Sequence, residues 1–274
     1  MLSRKPAALE NIAGCPVKAF GWSPSEGWLD EAALEGISHI VHLAGEPVAQ
    51  RWSKATRARI RESRTGALHL LKTACQRASL APRIVSASAV GLYGSSPEIK
   101  TEESPSGEGF LADVVNEWES AAAELGKLGG GHVVFRIGLV ISTHGGFLPR
   151  LLPLYRFGLG APLASGAQFQ SWIHIADLVQ MLATALERPD WNGAYNAVAP
   201  AAVSQQEFSQ TLAAVLRRPH FFPHVPAWAL RLWFGEAAEA LLASHQVQPS
   251  RLKEAGFSFA FPTLEGALKN ILSA

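Results

Sequence analysis

The sequence predicts an α/β protein built on a parallel sheet, and three observations carry that prediction. Short apolar runs, several of them ending in glycine turns, alternate with longer segments of helical spacing. The runs are apolar nearly throughout instead of alternating, as in strands covered on both faces. The segments between them are long enough for the right-handed crossovers that join parallel strands.

The elements follow in order. "HIVHLAG" (39–45) reads as a buried strand that ends in a tight turn. Residues 55–78 read as one long helix, because Ile60, Ala67, Leu68, Leu71 and Ala74 or Cys75 recur at helical spacing. "PRIVSASAVGLYG" (82–94) begins as a strand and breaks at Gly91. Residues 95–109, rich in Ser, Pro, Gly and Glu, are expected to be a loop. A helix is expected over 111–128 and a strand over 131–142. After about residue 145, glycine and proline turns lead to "SWIHIADL", which feeds a helix, and then to shorter helical segments, "SQQEFSQTLAAVL" and "PAWALRLWF".

Composition limits the classes of function. The 274 residues, 48% hydrophobic, suffice for one large domain or a domain with a small cap. A formal net charge of +1 gives the whole chain no electrostatic footprint for nucleic acid or an acidic membrane surface. Cys15 and Cys75 stand apart with no metal spacing, so no metal site is expected and a reducing, cytoplasmic setting is. No run reaches the roughly 18 apolar residues of a membrane span.

Four stretches, "HLAG", "SASAVGLYG", "FRIGLVIS" and "SWIHIADL", occur in an order and at spacings that resemble the atypical short-chain dehydrogenases/reductases. More narrowly, the chain is similar to the epimerase-like, YfcH-type branch of the NAD-dependent epimerase/dehydratase superfamily. Its end, "RLKEAGFSFAFPTLEGAL", resembles the small C-terminal domain of unknown function in that branch. The resemblance spans essentially the whole chain. It implies a Rossmann-like, doubly wound parallel sheet with a small, mostly helical C-terminal cap. The expected division is 1–145 for the NADP-binding core and 146–274 for a substrate-side and cap region interleaved with it. "MLSRKP" matches the end of that family's second strand, so the opening strand, Gly-rich turn and helix, roughly 25–30 residues, are expected to be missing.

The resemblance also assigns residues. Ser3 and Arg4 match a Ser-Arg pair after strand two, where an arginine pairs with an adenosine 2′-phosphate, which implies NADP. Leu43, Ala44, Gly45, Arg64 and Val140 fall on cofactor-contacting positions. Ser88 matches the superfamily's catalytic serine, and Tyr93 is a candidate acid in the turn behind it. The superfamily's Tyr-x-x-x-Lys pair has no counterpart, since Leu111 and Val115 fall near its slots. A phenol works near neutral pH only beside a cation, so the standard mechanism is excluded by residue type.

Asp113, Glu117 and Glu119 on the same helix read as solvated carboxylates, with a general base as the sharper alternative. Asp177 reads as a brace for the helix it begins, and His174 as structural. Gln168, Phe169 and Trp172 read equally as pocket lining or core. The resulting expectation is an NADP-dependent epimerase or oxidoreductase of atypical mechanism acting on a small-molecule substrate. The alternative is a non-catalytic NADP-binding sensor or partner-binding protein, a role linked with cell division in some relatives.

Overall fold

The computed structural model describes residues 1–8, 11, 12 and 15–273. The chain opens with β1 (Leu2–Ser3), a hairpin of β2 (Asn11–Ile12) and β3 (Cys15–Pro16), then β4 (Phe20–Ser23) and β5 (Trp28–Leu29). β1 lies parallel to β4, and β5 is antiparallel to it, forming a small sheet. The central region carries β6 (His39–His42), α1 (Lys54–Arg77), β7 (Arg83–Ala89), β8 (Ser96–Lys100), α2 (Phe110–Gly126), β9 (His132–Ile137) and β10 (Leu139–Ile141). There follow α3 (Leu148–Arg156), β11 (Phe169–Gln170), β12 (Trp172–His174), α4 (Ile175–Glu187), β13 (Gly193–Ala197), β14 (Val203–Ser204) and α5 (Gln205–Val215). The chain closes with α6 (Ala227–Phe234), α7 (Ala238–Leu242), β15 (His245–Val247), α8 (Ser250–Glu254) and α9 (Leu264–Ser273).

The main sheet runs β13-β9-β7-β6, with every pair parallel. α1 starts where Ser53 Oγ accepts the Thr56 N–H at 3.1 Å. Its buried stripe contains Ile60, Ala67, Leu68, Leu71, Ala74 and Cys75, the positions that its periodicity marks. α2 buries Ala112, Val115, Trp118, Ala122 and Leu125. Leu68, Leu71 and Leu125 pack with Ile84 and Val134 on one sheet face. On the other face, Leu178, Met181 and Ala185 of α4 pack with Val85, Val133 and Phe135. Fully burying a leucine such as Leu68 contributes about 1.5–3 kcal/mol. Cys75 is buried with a free thiol, and the Cys15 side chain lies outside the described residues.

Two expectations are corrected. The segment 95–109 is not wholly loop. β8 forms within it, because β15, far along the chain, supplies a parallel ladder for its backbone. The 131–142 strand is split. At Gly138 an added Cβ would lie 2.4 Å from the Ser171 carbonyl oxygen. The chain therefore passes tightly against the neighbouring segment, and β10 leaves the main sheet to pair with β12. The strand after Pro82 gives way to a 3-10 turn, Val90–Tyr93, as the break at Gly91 suggests.

One edge stands out. Val41 of β6 pairs in register with Val85, whose face α4 covers, yet Val41 is 43% exposed and Leu43 is 57% exposed. Among the described residues, no strand pairs with β6 on its outer side, and β1-β4-β5 form a separate sheet. Among the same residues, no helix is long and apolar enough to cross a membrane.

Candidate functional site

Parallel strands deliver their carboxyl ends to one edge, the usual ligand crevice of open α/β sheets. Here three adjacent strands place Ser88, Arg136 and Asn196 in one register row near that edge. They are members of a buried polar network. Ser88 Oγ donates to Glu119 Oε1 at 2.5 Å. Arg136 grips the same carboxylate with Nε and Nη2, each at 2.9 Å, in a fork-to-fork pair. Its Nη1 donates to the Tyr93 hydroxyl at 2.8 Å, and that hydroxyl donates to Asn196 Oδ1 at 2.7 Å. Asn196 Nδ2 donates to the Gln248 carbonyl, and the Glu102 carboxylate accepts the Asn196 N–H at 2.9 Å.

The energetics follow from burial. Burial works against the charged Arg136, but Glu119 and then Tyr93 outweigh it and hold its pKa above the ordinary arginine value. Burial pushes the Tyr93 phenol up, and Arg136 and Asn196 only partly offset that rise. Tyr93 therefore sits buried and protonated, its proton given to Asn196 and an oxygen lone pair given to Arg136. As a candidate acid it has no uncommitted proton. Ser88 likewise has its proton engaged, which leaves its lone pairs to accept a hydrogen bond.

Leu111 and Val115, near the expected Tyr and Lys slots, border the turn that follows β7. Leu111 packs against the turn after Ser88, with its Cβ 3.7 Å from a Cβ added at Gly91. Val115 is buried with Leu92 and Tyr93. The reading of the three α2 carboxylates needs correcting at Glu119. Asp113 is exposed and Glu117 pairs at the surface with Arg61. Glu119 is instead buried against Arg136, because it lies one helical turn beyond Val115 on the sheet-facing side.

Of the residues expected to contact a cofactor, Leu43, Ala44, Gly45 and Arg64 lie together at the end of β6, whereas Val140 lies on β10 and the Ser3–Arg4 pair at the end of β1. Arg64 Nη1 donates to the carbonyls of Glu46 at 3.2 Å and Ile60 at 2.9 Å. Ser63 Oγ accepts the Glu46 N–H at 2.9 Å. A Cβ added at Gly45 would lie 3.2 Å from the Arg64 guanidinium carbon, so a small residue suits this turn. Arg64 also lies 5.1 Å from the Trp118 ring centroid. Beneath it, burial and then Arg64 lower His42 to a pKa of about 4, so it is a neutral core imidazole. Leu43 is exposed, Ala44 lies beside it, and Val140 sits half-buried on β10. Ser3 ends β1, and Arg4 follows it, exposed. Cap and core meet here too, since Arg51 Nη2 donates to the Leu232 carbonyl and Arg57 pairs with Glu236.

The remaining candidates are structural. His174 Nδ1 accepts the Ala176 N–H at 3.0 Å and caps α4, and its ring stacks on Phe261 at 3.8 Å. Asp177 does not brace its own helix. Its carboxylate accepts the N–H groups of Ala260 and Phe261 at 2.8 and 3.1 Å, since His174 already caps α4. Gln168 is tied to the Leu163 carbonyl, Trp172 is core, and Phe169 is half-buried on β11. Arg136, Asn196 and Trp118 were not singled out in advance. The one signal was a lone arginine inside the apolar "VVFRIGLV".

The residues fit a dinucleotide at its ends: a small-residue turn after β6, a polar row across the sheet, and an exposed arginine after β1. Among the described residues, no strand leads through a Gly-rich turn into a helix to cradle a pyrophosphate.

Comparison with known proteins identifies the family and the fold. The profile of the NAD dependent epimerase/dehydratase family matches residues 24–198, and that of a domain of unknown function (DUF1731) matches 225–271. The chain is 36% identical over 272 residues to the mouse epimerase family protein SDR39U1, covering 95% of this chain and 92% of that protein. It is 37% identical over 243 residues to a chloroplastic SDR39U1 homolog of Arabidopsis thaliana, covering 87% of this chain and 70% of that protein. The crystal structure of human SDR39U1 with NADPH superimposes with a TM-score of 0.85 at 34% identity, covering 99% of this chain and 90% of that one. The chain belongs to the NAD dependent epimerase/dehydratase family, and its residues 225–271 match the DUF1731 domain.

Proposed function

We propose that this protein binds NADPH along the carboxyl edge of its parallel sheet and exchanges hydride with a small polar substrate held beside Ser88. The observation that carries the reading is the Ser88–Arg136–Asn196 row, backed by Glu119 and Tyr93, at the edge where open α/β sheets take ligands. The NADPH-bound human relative supports the choice of cofactor, and Arg4 suits the 2′-phosphate that distinguishes NADP from NAD. When bound, the nicotinamide supplies the hydride chemistry.

The chain's own residues supply orientation. Ser88, its proton engaged by Glu119, accepts a hydrogen bond from a substrate hydroxyl or amine. Arg136 holds the Glu119 carboxylate in place through two hydrogen bonds. Leu111 and Val115 present apolar surface where the superfamily carries its Tyr and Lys, so proton transfer to substrate is left to water or to the substrate's own groups.

The test is NADPH binding by fluorescence, together with NADPH consumption across a panel of carbonyl compounds. Saturable NADPH binding with turnover of at least one carbonyl is expected. Binding without turnover on any substrate would replace this reading with a non-catalytic nucleotide-binding role.

A further inference from the structure

Although the whole chain is nearly neutral, its charge is segregated. Residues 145–176 and 208–235 contain no Asp, Glu or Lys, and they carry five arginines. The fold brings the two stretches together. Leu163 bridges to Val225, the Ala164 N–H donates to the Val225 carbonyl at 2.8 Å, and the Val225 N–H donates to Pro162 at 2.8 Å. Pro219 lies against Gly158, 3.2 Å from a Cβ added there.

The same ribbons hold much of the protein's exposed apolar surface. Phe157 is 81% exposed, Phe221 72%, Trp228 68% and Trp233 79%, with Leu159 and Leu232 also exposed. Solvent-facing aromatics in this number mark an interaction surface. Among the described residues, Arg150, Arg156, Arg217 and Arg218 form no ion pair, and Arg231 is paired with Glu239. The acid that follows the second stretch, Glu236, is bound to Arg57.

We propose that this face docks peripherally on an anionic phospholipid surface. Tryptophan and phenylalanine rings partition at the headgroup boundary, where an aromatic body and a polar surround are both satisfied. Unpaired arginines add attraction to acidic headgroups, and that attraction is screened by salt. The apolar side chains project from two loops and one helix that the Leu163–Val225 and Gly158–Pro219 contacts bring side by side. That arrangement suits insertion among mobile headgroups better than a fit to one shaped protein.

The experiment is co-sedimentation with vesicles of phosphatidylcholine alone and of phosphatidylcholine containing phosphatidylglycerol. Two variants are compared with the parent, Arg217→Glu/Arg218→Glu and Trp228→Ser/Trp233→Ser, with thermal unfolding to confirm that each is folded. The parent should sediment only with the anionic vesicles and should release in high salt. Each variant should lose about tenfold or more in partition. No sedimentation, or equal sedimentation with both vesicle types, would overturn the proposal. So would a self-associated parent in analytical ultracentrifugation that the same substitutions dissociate, because the face would then be a contact between copies of this chain.

Discussion

Ser88 and Glu119 meet at 2.5 Å, with the serine hydroxyl donating to a carboxylate whose two oxygens are also held by Arg136. The Arg136 and Glu119 side chains are only 11% and 16% exposed. Removing one partner of such a pair leaves the other charge uncompensated, at a cost of about 3–5 kcal/mol. Glu119→Gln should therefore lower the free energy of unfolding by about 3 kcal/mol. Replacing both partners with apolar residues, Glu119→Leu/Arg136→Met, should recover much of that loss. Urea unfolding midpoints of the three proteins would show it. A single mutant as stable as the parent would mean that the pair is not buried as described.

Tyr93→Phe removes one hydroxyl and keeps the ring. If Tyr93 only joins Arg136 to Asn196, the variant should lose about 1–3 kcal/mol of stability and keep the parent's pH–rate profile. A fall in kcat of about a hundredfold or more, with one limb of the profile gone, would identify Tyr93 as the proton donor.

Stability should depend on pH in a stated direction. His42 and His245 are both lowered by burial to about 4, below the value of about 6.5 expected in the unfolded chain. Between those values the unfolded state binds more protons. Both contributions are thus complete above about pH 6.5 and lost as the pH falls towards 4. Each histidine can contribute a slope of up to about 1.4 kcal/mol per pH unit. Unfolding free energies at pH 7.5 and 5 should differ, and His42→Gln should narrow the difference. An unchanged difference in the variant would remove His42 from the account.

Arg4→Asp should weaken NADPH far more than NADH. A charge-assisted bond to the 2′-phosphate contributes about 1.5–3 kcal/mol, which NADH cannot make. Parallel titrations decide it, and equal weakening of both cofactors would sink the assignment.

The fold was legible where periodicity is local. The α1 stripe from Ile60 to Cys75 and the strand ending at Ala89 follow from spacing alone. β8 was hidden because its ladder partner lies about 150 residues away, and nothing in "SPEIK" announces it. Of the site, Ser88 was visible through its motif. Glu119 was not, since a glutamate on an amphipathic helix looks solvated until Arg136 is placed opposite. Asp177 was misread for a similar reason: the backbone it holds is 83 residues further on.

The bond from Asp177 to Ala260 and Phe261 reaches across what two family profiles describe as separate regions. A carboxylate at the first turn of α4 closes on two backbone donors of the tail, and His174 stacks on the same Phe261. The tail therefore cannot be shed, grafted or inherited as a free module without stranding a buried acid in its host. In a calorimeter the two regions should therefore melt as a single cooperative unit.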